Sequence, residues 1–377
     1  MQTMTSVEEL NEIIDVCKKF SAKEIRRSAL EADLKSDISW VKSLWARSRE
    51  IGLPGLIIPE ESGGVGQSAL CGALLVDVLA SECAGLASVF AYHFAGCMPL
   101  AIASPAQKEK LLVPLANADI EAPAIATVIF PPMLESSSLR LEEKKGRLRL
   151  SGTSPIVGNI ELATHILLFL EEDQKEESVT CLIVEKSAGG IVSGEPACLQ
   201  GLKVNPFGTV VFEDLEISRE AILGERGGSG NILENTQNLF YTYIAAAAIG
   251  TARAAYLKAH AYAQERYQYG KIIIHHQEIQ RMLGAMLLKL SIGTAAYRRF
   301  FSQEDLRLPD AFPDARLAKA YCTDAALEIA IDAVQVHGGY GYMHEYGVEK
   351  IMRDCKVLQL IGGSNPTLLI QAVARGI

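Results

Sequence analysis

The chain has 377 residues, of which 49% are hydrophobic and 21% charged, and carries a net charge of −9. That length supports two or three units with cores of their own, and an acidic balance without any block of basic residues argues against nucleic acid as a partner. The opening residues Met1 to Glu9 have neither the basic nor the apolar region of a secretory signal, and the longest apolar run, Ile244 to Gly250, falls far short of the ~20 residues that span a bilayer. The expectation is a soluble cytoplasmic protein without membrane contact.

Residues 1–119 read as a helical unit. Apolar residues at 40, 41, 44, 45 and 51 form a helical stripe that stops at Gly52. A turn-rich segment, Gly52 to Gly66, leads into a long apolar helix from about Ser68 to Ala84. From 120 to 226 the period changes. Leu148–Gly152 alternates, Thr164–Leu170 is a compact apolar run, and Val179–Val184 and Thr209–Phe212 are rich in β-branched residues. Gly and polar turns separate them, which predicts a mostly antiparallel β unit. The stretch Glu171 to Glu177 reads as a solvated turn.

Helices return over 227–377, at Tyr243–Arg266, Gln277–Arg298, Asp314–Val336 and Asn365–Arg375. Helix, sheet and helix thus follow one another as blocks, an α+β multidomain arrangement ending in a four-helix bundle, not an alternating βαβ fold. No GxGxxG opens a helix after a strand, so a Rossmann site is not expected. Eight cysteines lie scattered without a CxxC pair, as expected of reduced, mostly buried thiols. His275 and His276 are adjacent and lack the i, i+4 spacing of helical ligands, so no metal site is assigned.

Three segments carry a resemblance. Gly52-Leu53-Pro54-Gly55-Leu56 through Pro59-Glu60-Glu61-Ser62-Gly63-Gly64-Val65-Gly66 is similar to a GLxGLxxPEExGGxG pattern. Glu265-Arg266-Tyr267-Gln268-Tyr269-Gly270-Lys271 with Gln277 is similar to ERxxFGxxxxxxQ. The stretch Gln335-Val336-His337-Gly338-Gly339 through Arg353-Asp354 to Leu360-Ile361-Gly362-Gly363-Ser364 completes the set, with Val211–Leu215 and Ile222–Glu225 as a weaker fourth match. In this order and spacing they resemble the acyl-CoA dehydrogenases over nearly the whole chain.

The resemblance implies FAD bound across a subunit interface, an acyl-CoA substrate, an electron-transfer flavoprotein as acceptor, and a dimer or tetramer. It places Arg266 at the pyrophosphate, where a guanidinium fork suits phosphate oxygens. Tyr269 stands for the family's Phe, and Gln277 for an adenine-side or ribityl contact. Gln335, Val336, His337, Gly338 and Gly339 form a segment whose backbone amides can approach the phosphates. Ser364, two residues past the position of the catalytic carboxylate, completes the implied cofactor-binding set.

That carboxylate is missing. The usual Ile-Tyr-Glu-Gly-Thr reads Leu360-Ile361-Gly362-Gly363-Ser364, so the base position is Gly362. Some members place the Glu upstream of ERxxFG, and that position is Phe240. Tyr241 is the remaining candidate for a proton-transfer group, since a phenol can act as acid or base. The ring-facing segments also depart from the family. Thr127–Met133 replaces Thr-Glu-Pro-x-x-Gly-Ser, Ile156-Val157-Gly158 replaces Trp-Ile-Thr, and Asn205-Pro206-Phe207 replaces Ser-x-Thr. Phe130 and Phe207 could supply a stacking face in place of the lost tryptophan. Four readings stay open: an acyl-thioester oxidoreductase with an unusual proton step, a non-catalytic subunit beside a paralogous chain, a flavin enzyme of another class (monooxygenase, oxidase or acyl-CoA lyase), and a flavin-free binding protein.

Overall fold

The computed structural model describes residues 7–116, 124–131, 138–172, 178–302 and 314–374. Seven helices come first: α1 (Val7–Phe20), α2 (Ala29–Lys35), α3 (Ile38–Arg49), α4 (Ala69–Ala80), α5 (Ala84–Cys97), and the short α6 (Pro105–Gln107) and α7 (Val113–Ala116). Asp37 and Ser68 cap α3 and α4 by accepting the Trp40 and Cys71 amides, as short polar side chains do at helix starts. Every residue of α5 is buried, the sign of a helix lodged inside a core.

Two four-stranded sheets follow, built from β1 (Ala126–Ile129), β2 (Arg140–Lys144), β3 (Arg147–Thr153), β4 (His165–Glu171), β5 (Val179–Glu185), β6 (Ile191–Pro196), β7 (Gly208–Ile217) and β8 (Ile222–Leu223). Their orders are β1-β4-β5-β8 and β2-β3-β7-β6. All pairings are antiparallel except β1 with β4. The last block holds α8 (Gly230–Glu265), the hairpin β9 (Tyr267–Gln268) and β10 (Lys271–Ile272), α9 (Gln277–Arg299), α10 (Ala315–His337), α11 (Val348–Leu358) and α12 (Asn365–Ala374).

The structure revises several expectations. The helix expected over Ser68–Ala84 is α4, which stops at Ala80, where the Ser81 hydroxyl donates back to the Val78 carbonyl, and a further helix, α5, starts at Ala84. The helix expected from Tyr243 begins at Gly230, because the polar turn Glu234–Asn238 is carried by the buried helix that follows it. Strands β1, β2 and β6 lacked a period that stood out from their surroundings. The longest apolar stretch is Ala84–Ile102, long and apolar enough to cross a membrane by composition, yet it lies inside the protein. Residues 173–177, which include most of the expected acidic turn, and Pro132 and Met133 lie outside the described residues.

Close backbone approach holds α8 in place. Its run Ala245–Ala248 is fully buried, and a Cβ on Gly250 would stand 2.1 Å from the Asp77 carbonyl of α4. The Asp77 carboxylate accepts from Arg253 of α8 (2.5 and 2.9 Å) and from the Tyr297 hydroxyl of α9 (2.6 Å). Three helices thus share one buried carboxylate.

A second buried cluster joins all three blocks. On α11, Lys350 donates to Asp354 (2.6 Å), while Arg353 pairs with Glu349 (2.6 Å) and with Asp33 of α2 (3.1 Å). Asp354 accepts the Leu202 amide of the β block (2.6 Å), and Arg353 donates to the Gln200 carbonyl. Burial opposes a charge on Lys350, but the Asp354 and Asp33 carboxylates hold its ammonium well above the usual range. Gly201 lies flat on this helix: a Cβ there would be 2.3 Å from the Arg353 carbonyl oxygen.

Two predictions follow from this packing. Gly201→Ala forces backbone against backbone, and overpacking of this kind costs about 1–3 kcal/mol; urea unfolding will show a lowered midpoint with an unchanged slope. His93, fully buried, donates from Nε2 to the Pro54 carbonyl and accepts the Ala126 amide at Nδ1 (both 3.1 Å). Burial pushes its pKa down to about 3. The unfolded chain therefore binds one more proton between about pH 6.5 and 3. Stability from this group is complete above about pH 6.5 and declines as pH falls, by up to roughly 1.4 kcal/mol per unit. His93→Leu will flatten that part of the stability–pH curve.

Candidate functional site

The candidate residues gather at two ends of one path along α10. At the first end α8 stops at Arg266 and the chain turns through the β9–β10 hairpin, whose central Tyr269 and Gly270 both have positive φ (50° and 83°). Two positive-φ residues make the turn that matches strand twist, and they push Tyr269 out to 93% exposure. Gln277, the first residue of α9, and Gln335, near the end of α10, are also exposed. Arg266 is half-buried over the Tyr340 ring, 5.5 Å from its centroid. Among the described residues it forms no ion pair.

α10 ends at Gly338, with φ 59° and ψ −138°, a conformation open in practice to glycine alone. A Cβ on Gly338 or Gly339 would meet nothing within 4 Å, so the main chain faces open space here. Val336 and His337 are buried and turn inward. His337 stacks on Tyr262 (4.4 Å between centroids) and donates from Nδ1 to the Ala333 carbonyl (2.8 Å). Burial pushes its pKa down. Its side chain braces the helix end, leaving the backbone of the glycine turn for a ligand.

The second end is aromatic. Gly362 sits in the turn between α11 and α12 with φ 70°, and Gly363 follows at 111°. A Cβ on Gly362 would lie 3.0 Å from the rings of both Phe240 and Tyr241. The two positions where a carboxylate was sought therefore converge on one spot, and rings fill it. Phe240 is fully buried against Tyr92 (4.8 Å) and Phe130 (5.4 Å), and Tyr92 also meets Phe207 (6.0 Å). Glu234, another carboxylate of α8, is exposed.

The strands meant to face a flavin ring are engaged elsewhere. The Thr127 hydroxyl donates to the Gly158 carbonyl (2.8 Å), and Asn205 accepts the Asn159 amide (2.8 Å) while donating to Ser88 of α5 (2.8 Å). A Cβ on Gly158 would fall 2.6 Å from the Tyr92 ring. The Tyr92 hydroxyl is hydrogen-bonded to the Gly158 backbone, and burial pushes its phenol pKa up. Ser364 caps α12, its hydroxyl within 2.8 Å of Thr367 Oγ1.

Two residues escaped the sequence reading. Tyr92 lies in a helix whose local pattern is uniformly apolar, and nothing there marks it. Lys319 is fully buried in α10, and its ammonium donates to the Gln359 carbonyl (2.8 Å), the Gly363 carbonyl (2.9 Å) and Asn365 Oδ1 (2.9 Å). Burial pulls its pKa down to about 7. A lone lysine within an alanine-rich helical stripe was its visible signal. A separate cleft of about 750 Å³, bordered by Gln107, Lys110, Glu185 and Arg219, touches neither end of the site.

Comparison with known proteins agrees with the pattern of motifs. The acyl-CoA dehydrogenase N-terminal domain matches residues 7–119 and the acyl-CoA dehydrogenase C-terminal domain matches residues 235–377. An acyl-CoA dehydrogenase of Bacillus subtilis is 31% identical over 92% of this chain and 92% of its own length. Cyclohex-1-ene-1-carbonyl-CoA dehydrogenase of Geobacter metallireducens is 29% identical over 97% of this chain and 96% of its own. Butyryl-CoA dehydrogenase from Megasphaera elsdenii superposes with a TM-score of 0.88 at 25% identity, covering 99% of both chains. With its motifs, its helix–sheet–helix order and these likenesses in agreement, the chain belongs to the acyl-CoA dehydrogenase family, whose members are oxidoreductases acting on the CH–CH groups of acyl-CoA thioesters.

Proposed function

We propose that this chain binds FAD and acts as an oxidoreductase on an acyl-CoA or related acyl thioester, with the substrate proton handled without a carboxylate. The observation that carries this reading is the first end of the site, where a half-buried Arg266 without an anionic partner stands on the same helix-end platform as an open glycine turn. A guanidinium and approachable backbone amides are what a pyrophosphate requires. Exposed Tyr269, Gln277 and Gln335 lie on the elements flanking that turn, available to the adenine and ribityl portions. When bound, FAD supplies a hydride acceptor. The chain's own contribution at the other end is Tyr241, the titratable side chain that Gly362 touches. The α-proton leaves as the hydride does, and a phenol side chain takes up a proton only as its phenolate, so Tyr241 in that form is the proposed acceptor. The names of the relatives point to short or cyclic acyl groups. An electron-transfer flavoprotein is the proposed acceptor, and a dimer or tetramer the proposed assembly.

The ring end fits an isoalloxazine less well, because Tyr92 stands against Gly158, the Thr127 hydroxyl donates to the Gly158 carbonyl and Asn205 donates to Ser88 of α5. No step through the ring is derived for that reason. This packing favours a second reading, in which the chain is a non-catalytic subunit that clamps the phosphate end of an FAD shared with a paralogous, carboxylate-bearing chain.

The visible spectrum of the purified chain separates the two. Flavin absorbance near 450 nm, bleached anaerobically by butyryl-CoA or another short acyl-CoA, is the expected result; a colourless protein that turns yellow only when co-expressed with a paralogue overturns the first reading in favour of the second. Arg266→Ala is expected to lower FAD retention at least tenfold, measured as flavin per chain after gel filtration. Gly362→Glu places a side chain at positive φ against two rings, at a cost of roughly 1–3 kcal/mol. It is expected to bring no dehydrogenase turnover with an acyl-CoA panel, whereas robust turnover would show the surrounding site intact.

A further inference from the structure

We propose that Lys319 is a positioning residue whose ammonium pins the turn Gln359–Asn365 and thereby sets where Gly362 meets Phe240 and Tyr241. The turn has little to hold it by itself. Gly362 and Gly363 both adopt positive φ, and glycine gains no rigidity from a side chain. The Leu360 amide reaches Val357 at 2.9 Å and the Gln359 side chain donates to Asp324 Oδ1 at 2.6 Å, but the Ile361 and Gly363 amides flanking Gly362 reach Val357 and Leu360 at 3.2 Å, toward the long end of the normal range.

Lys319 supplies what is lacking. An ammonium has three N–H donors and no acceptor, and here it meets three oxygens at 2.8–2.9 Å. Two are the carbonyls of Gln359 and Gly363, which bracket Gly362 on either side. The third is Oδ1 of Asn365, the first residue of α12. Asn365 is itself fixed, its amide donating to the Ala320 carbonyl, Thr323 Oγ1 and Asp324 Oδ1 (3.2, 2.9 and 2.6 Å). Among the described residues no carboxylate lies within ion-pair distance of Lys319, so the three turn oxygens are the hydrogen-bond partners of its buried nitrogen. The geometry also has a long axis. Lys319 and the glycine end of α10 lie about 18 residues apart, roughly 27 Å along one helix. α10 is thus a bar that carries the phosphate platform at one end and grips the aromatic turn at the other. That the turn borders an acyl group rests on the reading proposed above; the grip itself does not.

Native-state amide hydrogen exchange on the purified chain tests it, since local opening is read residue by residue. Lys319→Met keeps the chain's volume and removes the donors. Exchange of the Ile361 and Gly363 amides is expected to accelerate at least tenfold, while the amides of Asp332–His337 on the same helix stay within about twofold, and flavin per chain, where flavin is bound, is unchanged. Lys319→Gln, with two N–H donors, is expected to fall between the wild type and Lys319→Met, and it serves as the test if the methionine variant does not fold. Unchanged exchange in the turn, or equal acceleration throughout the protein, would overturn the proposal. A chain without flavin would count against the functional reading and leave this measurement intact.

Discussion

The buried charges of α11 are the interaction on which the rest of the arrangement depends. Lys350, Arg353 and Asp354 lie in one helix, yet they bind Asp33 in α2 and the backbone of Gln200 and Leu202 in the β block. The buried residues of the three blocks form one continuous core, and the site does not belong to any one block. Its aromatic end draws on α5, the β strands, α8 and the turn after α11, so it exists only while the three blocks keep their mutual position. Hydrophobic burial is not directional and tolerates sliding. Buried ion pairs tolerate it poorly, because a displaced charge is left unpaired at a cost of about 3–5 kcal/mol. Gly201 makes the contact possible by letting a strand-side loop touch the helix backbone.

Within that frame the absence of a carboxylate takes a different meaning. Read along the chain, Gly362 and Phe240 are two separate losses, two known addresses left empty. In space they are one place, and the place is filled. The ring of Phe240 occupies the volume beside the Gly362 backbone, and Tyr92 and Phe130 close around it. A glycine at 362 is then the residue that lets the aromatic cluster approach the turn. The helix-end platform of Arg266 and the glycine turn, by contrast, keeps an open main chain and, among the described residues, a guanidinium without an ion pair. An open glycine turn and a closed aromatic turn thus lie toward the two ends of one helix, α10.

Much of this was legible in the sequence, for physical reasons particular to each element. Helices α3, α9 and α10 showed because one face must be apolar and the period of that face is set by the backbone alone. Strands β3, β4, β5 and β7 showed through alternation or β-branched runs. Helix α5 did not, because every one of its residues is buried and leaves no polar face to mark a period. Strand β1 pairs in parallel with β4 from a short apolar segment that could equally have been helix. The helix end at Arg266 and the open Gly338–Gly339 turn were identifiable because each is made by local chain geometry.

What the sequence by itself determined is therefore the block order, the family and the lack of a carboxylate at 362 and 240. The convergence of those two positions, the wedge of Tyr92 against Gly158, and the grip of Lys319 on the turn were decided only by tertiary structure. The reason is distance along the chain. Periodicity and motif spacing record what neighbours in sequence must do, whereas the close approach of α5, α8, α10 and the Gly362 turn is the outcome of many weak packing terms, none of which leaves a local mark.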